Sequence, residues 1–165
     1  MTRKQRETAR WEQVSGIVIP GHGVASGQGG DPRFPGGTIR LQRPAFAQRG
    51  LDLDGFFPGT VNISIRPYRY RVRRARHTFT NVKWKPDAPP EDFSFFDCRL
   101  MLTGLTPAPE DWHRGLIYYP HPETKPEHFQ DEATLELLLP PLAGIAYGLA
   151  VELAVDLSQL AIEAP

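Results

Sequence analysis

The sequence predicts a mainly β domain, in which short strands separated by turns form a barrel or a sandwich. Apolar and polar residues alternate over several short runs, 15 glycines and 17 prolines are spread along the chain, and few stretches have helical periodicity. At 165 residues, the chain is within the usual range for a single domain, which we expect to span residues 1–165. Many closely spaced strands with few helices favour a barrel or sandwich over a βαβ sheet.

The strands are predicted by alternation along the chain. Val61, Ile63 and Ile65 alternate with polar residues, and the runs 68–73 and 151–156 show the same pattern. Each of these runs would have one apolar and one polar face. Further strands are predicted at residues 15–20, 38–41, 78–84, 95–102 and 116–119.

Helices are predicted at only a few places. Residues 1–14 form a polar N-terminal extension, and a helix is predicted over 3–14. A second short helix is predicted over 126–133, because proline suits the first helical turn and Glu127 complements the helix dipole. A short turn is expected after Leu142.

Charge and hydropathy limit the function classes. The formal net charge is zero, so no field of the whole molecule draws it to nucleic acid or to a membrane. Residues 66–85 nevertheless hold eight Lys and Arg and no carboxylate, whereas 86–165 are rich in Asp and Glu. The N-terminus has no apolar signal segment and no run approaches the length of a membrane span. We therefore expect a cytoplasmic monomer, with the single cysteine, Cys98, as a small core residue.

The first candidate for a functional segment is the Gly-rich stretch at residues 20–30. Glycines allow backbone N–H groups to approach phosphate oxygens. The stretch lacks the Lys-Ser/Thr ending of a Walker motif and a convincing following helix, so the usual P-loop and dinucleotide motifs are not matched. Its alternative interpretation is an ordinary hairpin loop.

The second candidate is the run Pro58-Gly59-Thr60-Val61-Asn62, where a Pro-Gly turn of type II is predicted to lead directly into a strand. Thr60 and Asn62 are two residues apart, so their side chains share one face of that strand. Two neutral oxygens form a site for Mg²⁺ when nucleotide phosphates complete its coordination. The alternative is a strand start whose polar groups bond neighbouring backbone.

Glu136 is the third candidate, because it is the single charge inside an apolar run. A buried carboxylate there needs a partner or a ligand hydroxyl. It could instead face solvent from an edge strand.

Two other site types have weaker sequence support. His121, Glu123, Glu127 and His128 lie close together but match no spacing of zinc ligands. The basic run 66–76, with Tyr68 and Tyr70, resembles a surface for single-stranded nucleic acid, but it is also the pattern of an ordinary solvated strand face. We therefore do not expect nucleic acid as a partner.

The order of the three candidate segments resembles that of the CTP-dependent riboflavin kinases of the archaeal type. That family has a Gly-rich strand-loop similar to residues 23–30, a Pro/Glu-Gly-Thr-Leu-Asn turn similar to 58–62, and a Thr-containing loop before a Glu-to-Pro run similar to 136–140. The resemblance spans roughly residues 16–157, and the central turn is its most specific part.

The resemblance implies a closed six-stranded cradle-loop barrel with a few short helices. It implies transfer of the γ-phosphoryl group of CTP to the 5′-hydroxyl of riboflavin, giving FMN and CDP, with Mg²⁺ held by Thr60 and Asn62. Glu136 and Thr124 would bind the flavin, and Glu136 would also be the catalytic orienting acceptor or base. The residues that would line the nucleotide are Gly27, Gln28, Gly29 and Gly30 on one side and Pro141, Leu142, Ala143 and Gly144 on the other.

One departure from the family pattern keeps a second interpretation open. The family has basic residues after the Glu-to-Pro run, whereas residues 141–146 of this chain contain no cation. The alternative is therefore a non-catalytic barrel module that binds a flavin or a nucleotide and has lost its phosphate-handling cations.

Overall fold

A computed structural model of the chain describes residues 10–21, 37–125 and 131–165. Within these residues the chain forms nine strands and one helix. In chain order they are β1 (Trp11–Ile19), α1 (Thr38–Gln48), β2 (Val61–Ser64), β3 (Arg69–Val72), β4 (His77–Val82), β5 (Glu91–Met101), β6 (His113–Pro120), β7 (Thr134–Leu138), β8 (Ala150–Asp156) and β9 (Leu160–Glu163). The prediction of a mainly β domain is confirmed.

Six of these strands form a closed ring of backbone hydrogen bonds. The order around the ring is β5, β6, β7, β2, β1 and β8, and β8 pairs again with β5. All of these pairings are antiparallel. β5 has 11 residues, so it pairs with β4 through its first half and with β8 through its second half. Each strand of the ring therefore has a partner on both sides.

The interior of the ring is one apolar cluster to which all six strands contribute. Alternate residues of each strand point into it, as the twofold period of a strand requires. Ile63, Leu100 and Leu153 are fully buried there, and Cys98 is buried among them. The prediction that Cys98 is a core residue is confirmed. A separate sheet of two strands, β3 and β9, packs beside the ring through Tyr70 and Ile162.

A second apolar cluster covers part of the outer face of the ring. The helix α1 supplies Ile39 and Phe46, and the strands beneath it supply Phe93, Phe95 and Leu138. The ring of Phe46 contacts Phe93 and Phe95 edge-on, with centroids 5.1 and 5.0 Å away. α1 thus lies across β4, β5, β6 and β7 on the outside.

The antiparallel ring brings particular loops together. β1 and β7 finish at the end of the ring where β2 and β8 begin, and we call this the upper end. The segment before β2 and the segment between β7 and β8 meet there, since the N–H of Phe57 bonds the carbonyl of Leu139 at 2.8 Å. The segment that follows β1 also leaves the ring at this end.

The predicted helix over residues 3–14 is wrong in its described part. Trp11 to Val14 belong to β1, which pairs with β8 from Trp11 opposite Asp156 to Ile17 opposite Ala150. Val14 and Val18 are buried while the residues between them alternate in exposure, which is the period of a strand. Residues 1–9 lie outside the described part of the chain.

The predicted strand over residues 38–41 is also wrong, because these residues form the first turn of α1. The residues of α1 that are buried are Thr38, Ile39, Gln42 and Phe46, which lie on one face of a helix. Leu41, which would share a face with Ile39 in a strand, is exposed. Four residues are too few to distinguish the twofold period of a strand from the 3.6-residue period of a helix. Tertiary burial decides between the two structures.

The remaining predictions of secondary structure have mixed outcomes. The helix predicted over 126–133 lies partly outside the described residues, and its last part is a turn in which Asp131 accepts from the N–H groups of Ala133 and Thr134. The predicted strand at 68–73 is present as β3, but its expected apolar face is exposed at Tyr68 and Val72. Within the three described ranges, no helix is long and apolar enough to cross a membrane.

Candidate functional site

Strand register brings Asn62 and Glu136 side by side. Asn62 of β2 is directly opposite Glu136 of β7, and Glu136 is directly opposite Tyr118 of β6. Residues opposite each other in antiparallel strands project to the same face, so these three side chains form a row. Their neighbours Ile63, Leu135 and Ile117 point into the ring, so the row lies on the outer face. β7 lies between β6 and β2, which excludes the interpretation of Glu136 as a residue of an edge strand.

Thr60 joins this row from the turn that precedes β2. Its hydroxyl donates to Oε1 of Glu136 at 3.3 Å, although the two residues are 76 positions apart. The turn itself is not the predicted type II turn. The N–H of Gly59 bonds the carbonyl of Phe57 at 2.8 Å, which closes a three-residue turn around Pro58. A type II turn would require a positive φ at Gly59, and Gly59 is not among the described glycines that have one.

Gly21 lies directly against the amide of Asn62. A Cβ atom built on Gly21 would be 2.1 Å from Nδ2 and 2.8 Å from Cγ of Asn62. With the Asn62 side chain in this position only glycine fits, because Cβ atoms essentially never lie within 3.0 Å of a non-bonded heavy atom. Asn62 is only 8% exposed. The backbone at the start of the Gly-rich stretch therefore covers its amide. The predicted nucleotide-binding residues Gly27, Gln28, Gly29 and Gly30 lie outside the described residues.

Glu136 also borders a small pocket beside the row. The pocket has a volume of about 30 Å³, enough for about two water molecules. A ligand the size of a flavin would therefore lie over the pocket rather than inside it. The lining residues are Tyr70, Ile117, Tyr118, Tyr119, Pro120, Pro122, Lys125, Thr134, Leu135 and Glu136.

Two phenols near Glu136 stay protonated at neutral pH. Burial raises the pKa of Tyr118 well above its usual value, and the negative charge of Glu136 raises it further. The hydroxyl of Tyr118 donates to Oε1 of Gln42 at 2.8 Å. Burial also raises the pKa of Tyr70, with further increases from Tyr119 and Glu136. Both side chains are therefore neutral, and the hydrogen of the Tyr118 hydroxyl is already donated to Gln42.

The predicted flavin-binding residue Thr124 uses its hydroxyl within the protein. This hydroxyl accepts from the N–H of Asp92 at 2.8 Å and donates to the carbonyl of His121 at 3.3 Å. It therefore joins the turn after β6 to the start of β5. Thr124 does not line the pocket beside Glu136, whereas the next residue, Lys125, does.

Residues 141–144 form part of the loop between β7 and β8, at the upper end of the ring. Pro141, Ala143 and Gly144 are exposed, whereas Leu142 packs against the interior cluster. Gly144 has a φ of +87°, and a Cβ there would be 3.0 Å from the side chain of Leu105. The loop therefore offers backbone and apolar surface to a ligand, and no charge.

A zinc site has no support among the described residues, where no group of three or more His, Cys, Asp and Glu could hold a metal ion. Nε2 of His121 lies 2.7 Å from the hydroxyl of Ser94 in a hydrogen bond. Glu127 and His128 lie outside the described residues.

The basic run around β3 is largely neutralised within the molecule. Four of its arginines pair with carboxylates of other segments. These pairs are Arg66–Asp131 at 2.6 Å, Arg69–Glu132 at 3.3 Å, Arg71–Glu163 at 2.7 Å and Arg76–Asp97 at 3.3 Å. Because they are exposed pairs, each adds little stability, but together they reduce the positive field of this surface.

Sequence patterns did not indicate Arg43, which holds the segment leading into the turn at Pro58. Its Nη2 donates to the carbonyls of Leu53 at 3.0 Å and Phe56 at 2.8 Å. It was missed because its segment was not predicted to be helical, and only the position of α1 brings it to this loop. Arg43 therefore holds the backbone of residues 53–56, which leads to the turn at Pro58.

The donor types of Thr60 and Asn62, next to the carboxylate of Glu136, suit Mg²⁺. A hydroxyl and an amide oxygen are hard oxygen donors, which this ion prefers together with phosphate oxygens and water. The backbone at Gly21 lies against the Asn62 amide, so it also borders these donors.

No protein-family model matches this chain, and no curated protein matches it significantly.

Proposed function

We propose that this protein is a phosphotransferase that resembles the CTP-dependent riboflavin kinases, and that its ring of six strands is a cradle-loop barrel. The observation that carries the proposal is the hydrogen bond from Thr60 to Glu136, with Asn62 opposite the same carboxylate. This bond joins two of the three segments on which the resemblance rests, residues 58–62 and the run 136–140. The third segment, residues 23–30, begins two positions after Gly21, which contacts Asn62.

In this proposal, Thr60 and Asn62 hold Mg²⁺ together with phosphate oxygens of CTP. The ion would neutralise charge on the phosphates during transfer. Residues 27–30 and 141–144 would line the nucleotide on its two sides. Residues 141–144 lie at the upper end of the ring, where β1 also ends. Backbone N–H groups of the Gly-rich stretch would replace the Walker lysine that the sequence lacks.

Glu136 would orient the acceptor. Its carboxylate accepts a hydrogen bond from Thr60, which fixes its direction. It would accept the proton of the riboflavin 5′-hydroxyl as the oxygen of that hydroxyl forms a bond to the γ-phosphorus, while the bond to the β-phosphate oxygen breaks and CDP leaves. The isoalloxazine ring would lie over the pocket bordered by Tyr70, Tyr119 and Lys125.

The test is to incubate the purified protein with riboflavin, Mg²⁺ and each of the four nucleoside triphosphates, and to measure FMN by chromatography. We expect FMN with CTP, and a loss of at least about tenfold in turnover for Asn62→Ala, because a metal ligand is removed. Ser64→Ala is the matched control, since Ser64 lies two residues further on the same face of β2. Its turnover should equal that of the wild type. Absence of FMN with all four nucleotides would refute the kinase proposal.

The second candidate function is a module that binds flavin or nucleotide without transferring phosphate. It is favoured by the loop at 141–146, which contains no cation. Calorimetric titration with CDP, FMN and riboflavin separates the two candidates. A pure binding module would bind a flavin while showing no nucleotide affinity that depends on Mg²⁺, whereas a kinase must bind both substrates.

A further inference from the structure

Tyr147 is the most exposed large apolar side chain in the described ranges, at 67%. It lies in the turn from Ala146 to Leu149, which is closed by a hydrogen bond from the N–H of Leu149 to the carbonyl of Ala146 at 3.1 Å. Gly148 has a φ of +90°, as the third residue of a type II turn requires. Tyr147 therefore occupies the corner of a tight turn and projects its ring into solvent.

This turn is attached to the strand that leads to the candidate site. The N–H of Gly148 bonds the carbonyl of Val18 at 2.7 Å, and the N–H of Val18 bonds the carbonyl of Leu149 at 2.9 Å. Ile19, the next residue of β1, is directly opposite Asn62. The backbone beside Tyr147 is thus fixed to β1 within one residue of the position that pairs with Asn62.

We propose that Tyr147 binds the pyrimidine base of the phosphate donor by stacking its ring on it; this inference rests on the proposed phosphotransferase function. A nucleotide whose phosphates lie at Thr60 and Asn62 must extend its ribose and base beyond them, towards the loops at the upper end. Tyr147 lies on one of these loops, three residues after Gly144. A tyrosine on a rigid turn loses little conformational freedom when it stacks, because it has only two side-chain torsions.

The composition of the loop explains why an aromatic residue is needed there. Residues 141–146 carry no cation that could attract phosphates. Stacking supplies affinity without charge, and every base offers a face for it. Phe57 is also exposed at this end, at 43%, but it lies three residues before Thr60 and so belongs beside the phosphates rather than the base.

The experiment is calorimetric titration with Mg²⁺ and two probes, CTP and inorganic tripolyphosphate, which has the phosphates but no base. Tyr147→Ala should weaken CTP binding about tenfold and leave tripolyphosphate binding unchanged, because only the stacked base is lost. Tyr147→Phe should bind CTP like the wild type. Tyr68→Ala is the matched control, because Tyr68 is 41% exposed but follows the far end of β2; its CTP affinity should not change.

The outcomes separate this inference from the proposed function. If the wild type binds CTP and Tyr147→Ala binds it equally well, the stacking role is overturned while the kinase proposal stands. The stacking role of Tyr147 is also overturned if Phe57→Ala weakens CTP binding and Tyr147→Ala does not. If the wild type binds neither CTP nor tripolyphosphate, the proposed function fails and the inference fails with it.

Discussion

At the scale of single residues, the contact between Gly21 and Asn62 is the tightest feature of the candidate site. The amide of Asn62 fills the space in which any other residue at position 21 would carry its Cβ. Both residues lie at the point where β1 and β2 reach the upper end of the ring. The orientation of the Asn62 amide therefore depends on the absence of a side chain at position 21.

Gly21→Ala should displace the Asn62 amide and weaken Mg²⁺-dependent CTP binding, by at least about tenfold if Asn62 is a metal ligand. The fold should survive, because the clash is with the end of a side chain and Gly21 has no positive φ that alanine would strain. Titration with CTP in the presence and absence of Mg²⁺ measures the effect. Gly55→Ala is the control, since nothing lies within 4 Å of a Cβ there. Equal affinities of both variants would contradict a role of the Asn62 amide.

At this scale, alternation in the sequence predicted part of the geometry. It correctly put Ile63 on the face opposite Asn62, because a strand has a period of two. The row formed with Glu136 and Tyr118 depends on the register between strands far apart in the chain, which periodicity within one segment cannot reveal. Arg43 was missed for the same reason, and so was the contact of Gly21 with Asn62, since both depend on residues of other segments.

At the scale of secondary-structure elements, α1 is the feature that sequence patterns did not predict. Its N-terminal residue is preceded by Gly37, which makes no side-chain cap, its first turn has no acidic residue, and Pro44 lies inside it. The usual signals of a helix start are thus absent. The helix is held by tertiary contacts instead, through Phe46 in the outer cluster and the bond between Gln42 and Tyr118.

Phe46→Ala should destabilise the protein by about 3–5 kcal/mol, because it leaves a cavity among Phe79, Phe93 and Phe95. Urea unfolding followed by tryptophan fluorescence measures the change as a lower midpoint. Leu41→Ala on the exposed face of the same helix is the control, and it should change stability by less than about 0.5 kcal/mol. If Phe46→Ala changes stability no more than Leu41→Ala does, the packing of Phe46 in the outer cluster does not stabilise α1.

At the scale of the whole molecule, the ring depends on the pairing of β5 with β8. This pairing joins Cys98 to Val155 and Leu100 to Leu153, and it closes a sheet that would otherwise have two edges. The composition of the chain predicted many short strands and therefore a barrel or sandwich. It could not predict which strands meet, because closure depends on β5 being long enough to pair with two strands along one side.

Cys98 provides a test of this closure, because its thiol lies inside the ring at the β5–β8 pairing. Burial, with a smaller effect of Asp97, raises the pKa of the thiol, so almost no reactive thiolate forms at pH 8. We expect a disulfide reagent to label Cys98 only at urea concentrations that unfold the protein. Ala164→Cys adds an exposed thiol near the C-terminus as an internal control, which should react at once in the native state. If Cys98 reacts as fast as that control without urea, the β5–β8 pairing opens in solution and the ring is not closed.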